Sequence, residues 1–153
     1  MGELIAIASG KGGTGKTSVC AGVAEALALD GCSVLCVDCD VGLRNLDISL
    51  GMADSGGLSF LDVCQGSYSC ADAPRHPRYP TLAFLTAPLR CPSDKIDRDA
   101  FGAFLHRARA DFDFIFLDAP AGLDAGFQLV SSAAEEFLLV TGPGPAAIRD
   151  AAR

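Results

Sequence analysis

The sequence predicts an α/β fold with a mostly parallel central sheet and helices on both faces. Two observations predict it. Five short apolar runs, Leu4 to Ala8, Val34 to Val37, Leu82 to Leu85, Phe114 to Leu117 and Phe137 to Val140, show no polar–apolar alternation. Strands buried on both faces read this way, and they occur in parallel sheets covered by helices. Between several of these runs, apolar residues recur at helical spacing. Strands alternating with helices specify a doubly wound sheet.

The elements follow in order. The first run leads into a glycine-rich stretch and then a helix, where Val19, Val23 and Leu27 recur every four residues with Cys20, Ala24 and Ala28 beside them. Gly31 is the stop signal. Pro74, Pro77 and Pro80, mixed with Arg75, His76 and Arg78, predict a rigid basic surface loop before the third strand. Phe101, Phe104, Leu105 and Ala108 form one apolar helix face, and Asp97 is its expected N-cap. Past the fifth run, Pro145 opens a helix at its first turn. The chain stops at Arg153, about two turns later. A domain truncated at its C-terminus is therefore expected, with an uncovered strand edge that invites aggregation.

Composition bounds the class. The 153 residues predict one domain spanning 1–153, and an apolar half excludes disorder. No apolar run approaches the roughly 18 residues of a membrane span. Twelve basic residues face nineteen acidic ones, a net charge of -7, so no nucleic-acid partner is expected. Seven Cys is an odd number, and Met1 to Ala8 carries an acid where a leader would carry bases. Reduced thiols in the cytoplasm are the expected state.

Ser9 to Ser18 read S-G-K-G-G-T-G-K-T-S, in which Gly10, Gly15, Lys16 and Thr17 fit G-x-x-x-x-G-K-[ST]. The motif sits between a predicted strand and a predicted helix, the context a phosphate-binding loop needs. Glycines let backbone N–H groups converge on an anion, and the helix N-terminus adds positive potential. Lys16 is expected on the β- and γ-phosphates and the Thr17 hydroxyl on Mg²⁺. The phosphate itself does not require Lys11. It is either a solvated loop lysine or a charge delivered to a phosphate across a dimer interface. Asp38 and Asp40 close the second strand and Asp118 closes the fourth, all at the edge where open α/β sheets bind ligands. A divalent cation explains three carboxylates there; turn formation or helix capping is the alternative for each.

These blocks resemble the MinD/ParA ATPases. Gly10 to Ser18 is similar to their deviant Walker A loop, K-G-G-x-G-K-[ST]-[ST]. Asp38-Cys39-Asp40-Val41-Gly42-Leu43-Arg44-Asn45-Leu46-Asp47 resembles the D-x-D-x-G-L-R-N-L-D stretch of the family's division-site-placing branch. Leu117 to Gly122 looks like its Walker B and switch II, and Thr141-Gly142-Pro143 with Arg149-Asp150 resembles the stretch before its next helix. Asp124 stands where that branch usually has Glu.

The resemblance implies a three-layer P-loop NTPase that binds ATP and Mg²⁺. Gly10, Lys11, Gly12, Gly13, Thr14, Gly15, Lys16, Thr17 and Ser18 hold the nucleotide. Asn45, in the loop called switch I, and Gly122, in switch II, complete the binding set. Thr17, Asp38 and Asp118 hold the metal. Lys11, Lys16 and Asp40 are the catalytic set, with Asp40 orienting the attacking water. It further implies an ATP-dependent homodimer, a division inhibitor and an activating protein as partners, and peripheral association with the cytoplasmic membrane through a terminal helix lying outside these residues. The fragment alone is expected to be inactive or weakly active. A ParA-type or flagellar-number-regulating ATPase and an iron–sulphur carrier on the same scaffold are the alternatives.

Several signals carry less. Cys36 and Cys39 form C-x-x-C, but strand alternation points residues three apart to opposite faces, so core packing is expected. Cys64, Cys70, His76 and His106 have no partners at ligand spacing.

Overall fold

The computed structural model describes residues 1–153. Its strands are β1 (Glu3–Ala8), β2 (Val34–Asp38), β3 (Leu82–Leu85), β4 (Phe114–Asp118) and β5 (Glu136–Leu139). They form one sheet in the order β3-β2-β4-β1-β5, and every pairing is parallel. The helices are α1 (Lys16–Leu29), α2 (Leu46–Ser49), α3 (Phe60–Cys64), α4 (Arg98–Asp111), α5 (Ala125–Ala133) and α6 (Pro145–Ala151). The register sets Asp38 beside Asp118 on neighbouring strands, and Cys39 N donates to Asp118 O at 3.0 Å. Both carboxylates therefore stand at the same edge of the sheet.

Alternation along the strands separates two cores. Leu35 and Val37 join Phe60, Phe101, Phe104 and Leu105 on one face. Val34 and Cys36 join Ala24, Leu46, Leu82 and Phe116 on the other. Cys36 and Cys39 thus lie in different cores, as the alternation predicts. Asp97 caps α4, its Oδ1 accepting from the Asp99 and Ala100 amides at 2.9 and 3.3 Å. Gly31 takes φ 90° just past α1, a left-handed turn that suits a residue without Cβ.

Three expectations change. On α1 the buried face is Cys20, Ala21, Ala24 and Ala28, while Val23 and Leu27 flank it half-buried. Small residues let the helix lie close to the sheet, so the large ones mark the margin of the stripe. The basic loop before β3 is not all surface: His76 is buried. Its Nε2 meets the Leu50 carbonyl at 2.9 Å, and its Nδ1 accepts from the Arg78 and Tyr79 amides. Those two accepted bonds fix Nε2 as the protonated nitrogen, so His76 ties the loop to the end of α2. Finally, β5 pairs only with β1, and Phe137, Leu138 and Leu139 are exposed rather than covered on both faces.

Candidate nucleotide-binding site

The loop leaving β1 turns on two glycines that require left-handed backbone, Gly13 at φ 78° and Gly15 at φ 86°. Neither would bring a Cβ near any atom, so conformation rather than crowding selects glycine there. Gly15 is the N-cap of α1 and offers no side-chain acceptor to the helix's first amides. Those amides and the positive end of the helix dipole remain available to an anion.

A cavity of about 200 Å³ opens above this turn. Gly12 to Ser18 form its floor, Asp40, Leu43 and Asn45 one wall, and Asp118 and Ala121 another. Lys16 is buried, with its Nζ 2.5 Å from Asp118 Oδ1. The Thr17 hydroxyl donates to Asp118 Oδ2 at 2.8 Å. Thr14 Oγ1 is buried and has no hydrogen-bond partner. A buried hydroxyl without a partner, a glycine cradle and a lysine at the base form a donor set that fits a polyphosphate. Thr17 and Asp118 supply hard oxygen donors that fit Mg²⁺.

Burial pushes the Asp118 carboxyl above its ordinary range, and the Lys16 ammonium opposes that shift. Burial raises Asp38 to about 7, the Asp40 amide opposes the shift, and the Asp118 charge adds to it. Its Oδ1 accepts from Asp40 N at 3.0 Å and its Oδ2 from Leu46 N at 3.3 Å. Asp38 therefore anchors both ends of the loop 40–45. Asp40 Oδ1 in turn accepts from Gly42 N and Leu43 N, closing the loop on itself.

The predicted residues do not all converge. Lys11 is exposed and lies off the cavity wall, as does Gly122, which takes φ 91° beyond β4. Gly10 faces away from the cavity. A Cβ on it would sit 2.5 Å from the Asp150 carbonyl carbon, so its missing side chain is a seat for α6. Gly10→Ala is accordingly expected to lift α6 off the loop, at about 1–3 kcal/mol of stability. Faster amide exchange across 145–151 with an unchanged sheet would confirm it. Ser9, Leu43 and Ala121 also line the cavity and were not among the predicted site residues. All three lie within the quoted motifs, and that position was the available signal.

The family model described as the CobQ/CobB/MinD/ParA nucleotide binding domain matches residues 5–138. The septum site-determining protein MinD of Synechocystis sp. is 36% identical over the whole chain, which spans 58% of that protein's length. The MinC:MinD cell division protein complex of Aquifex aeolicus superposes with a TM-score of 0.87 at 37% identity, covering 97% of this chain and 60% of its counterpart. The MinD of Pyrococcus horikoshii, solved with Mg-ADP, gives a TM-score of 0.79 at 31% identity, covering 98% and 62%. With that family model matching residues 5–138, the chain belongs to the CobQ/CobB/MinD/ParA nucleotide-binding domain family.

Proposed function

We propose that this chain is the nucleotide-binding part of a MinD-like ATPase that works as a dimerisation switch in division-site placement. One observation carries the reading: Lys16, Thr17, Asp40, Asn45 and Asp118 meet around one glycine-floored cavity. Mg–ATP, when bound, supplies the phosphoryl group and the cation's positive charge. The chain's part is positioning and charge neutralisation. Lys16 leaves Asp118 to neutralise the phosphates. Asp118 and Thr17 turn their oxygens to the cation, with Asp38 behind them holding the base of switch I. Asp40 accepts from the attacking water in place of its own loop amides. The Thr14 hydroxyl gains the acceptor it lacks. Gly122 lets switch II bend toward the phosphate.

Lys11 stands apart. It is exposed on the loop beside the cavity, where a charge can serve a second copy of the chain. In this reading two copies close over two nucleotides, and hydrolysis releases them. A division inhibitor, an activator and the membrane surface are the proposed partners. No helix of the chain is long and apolar enough to cross a membrane. The cysteines give the iron–sulphur alternative no support, since no group of them gathers at ligand distance and Cys36 and Cys39 face opposite cores.

The test uses calorimetry with Mg–ATP and light scattering with a slowly hydrolysed ATP analogue. In the full-length protein, wild type is expected to bind and to dimerise. Lys11→Ala is expected to bind nucleotide within about twofold of wild type and to stay monomeric. Dimerisation of Lys11→Ala at the wild-type concentration would reduce Lys11 to a surface charge and remove the proposed switch.

A further inference from the structure

Residues 40–45 carry Asp40, Leu43 and Asn45 into the cavity wall, so the placement of this segment decides where they stand. Most of its hydrogen bonds are local. Asp40 Oδ1 accepts from Gly42 N and Leu43 N, each at 3.1 Å, and Arg44 N donates to Asp40 O at 3.1 Å. Asp38 takes the Asp40 and Leu46 amides at the base. These bonds give the loop its shape but leave the direction of its tip open. One hydrogen bond from 40–45 reaches another part of the fold: Arg44 Nη2 donates to Thr86 Oγ1 at 3.1 Å.

Thr86 makes a firm post. It follows β3 directly and is 5% exposed. Its N donates to Leu58 O at 2.9 Å, and its carbonyl accepts from Phe60 N at 3.0 Å. Arg44, by contrast, is held under strain. It is the one non-glycine residue with positive φ, at 51°. Its Nε is buried without an acceptor. A surface arginine escapes the second of these costs by swinging its side chain into water, so the bond to Thr86 is what retains the side chain.

We infer that Thr86 is a positioning residue, which through Arg44 sets where switch I holds Asp40 and Asn45 against the phosphate cavity. The effect on hydrolysis rests on the nucleotide reading above; the effect on the loop does not. No sequence motif marked Thr86. Its place at the end of β3 puts it on the ligand-binding edge of the sheet, but on the far strand from the phosphate loop.

The experiment compares Thr86→Val, which removes the acceptor at nearly constant shape, with Thr86→Ser, which keeps it. Amide exchange is read first, without nucleotide. Thr86→Val is expected to speed exchange at Gly42, Leu43 and Arg44 roughly tenfold, the effect of losing one charge-assisted bond, with the sheet amides unchanged. Thr86→Ser is expected to restore wild-type exchange. Mg–ATP affinity and turnover are read second, in the full-length protein. Thr86→Val is expected to bind within about twofold of wild type while its kcat falls roughly tenfold, and Thr86→Ser to recover kcat. Unchanged exchange at 42–44 in Thr86→Val would overturn the positioning role outright. Faster exchange with unchanged kcat would confine Thr86 to loop structure and overturn the inference for hydrolysis. Failure of wild type to bind Mg–ATP would defeat the nucleotide reading instead, with the exchange result still deciding whether Thr86 holds the loop.

Discussion

Lys16→Ala is expected to abolish measurable Mg–ATP binding, a loss of at least about 100-fold. The phosphate cavity has one buried cation, and it is 2.5 Å from Asp118. Hydrogen bonds from a charged donor to phosphate are worth about 1.5–3 kcal/mol each, and Lys16 can make more than one. The substitution also strands Asp118, which is 1% exposed. Breaking a buried pair on one side costs about 3–5 kcal/mol. Asp118 reduces that cost by taking up a proton, because burial already favours its neutral form. A loss of about 3 kcal/mol near neutral pH is therefore expected alongside the loss of binding.

The two effects separate in a double variant. Lys16→Met with Asp118→Asn removes both charges and keeps the apolar stem beneath the loop, so most of the stability should return. Binding should not return. Calorimetry and a melting curve on the same samples read both quantities. Unchanged nucleotide affinity in Lys16→Ala would overturn the phosphate-loop assignment.

What the sequence made legible follows from the range of the forces involved. Four of the strands were legible because burial on both faces demands unbroken apolar runs; β5 carries such a run although its residues are exposed. The phosphate loop was legible because Gly13 and Gly15 answer to local backbone conformation. The α4 face and its Asp97 cap were legible for the same local reason. Contacts between distant segments left weaker marks. His76 looked like a loop residue because its partner, the Leu50 carbonyl, lies 26 residues away and has no side-chain signature. Gly10 read as part of the anion cradle because nothing nearby in the sequence shows α6 resting on it. The short helices α2 and α3 have 4 and 5 residues, too few for a periodicity to show. Asp38 and Asp118 were recognised as neighbours, yet their different partners, backbone amides for Asp38 and the Lys16 ammonium for Asp118, emerge only from the folded loops.

Burial of Asp38 without a cationic partner carries the last expected result. Asp38 titrates near 7 in the folded chain against 3.8 for the free side chain. Between those values the folded state holds a proton that the unfolded state has released. Its contribution is fully present below about pH 4 and is lost as pH rises through 7, and the raised Asp118 acts in the same direction. Asp38 alone gives a loss of up to about 4 kcal/mol across that window. Asp72 and Asp113, lowered by the amides of Ser69 and Ser33, act oppositely below their ordinary value, so stability should peak on the acid side of neutrality. Urea unfolding at steps from pH 5 to pH 8, without nucleotide, is expected to show midpoints that fall with pH. Asp38→Asn should remove most of that slope, at a fixed cost from one poorly matched amide. Saturating Mg–ATP at about 100 times its Kd should restore about 2.7 kcal/mol at pH 8. It should also release protons near pH 7, visible as a buffer-dependent binding enthalpy, because the bound cation favours the ionised carboxylates. Midpoints that stay level or rise from pH 5 to pH 8 would mean that Asp38 is already ionised in the empty site, with its two backbone bonds outweighing its burial.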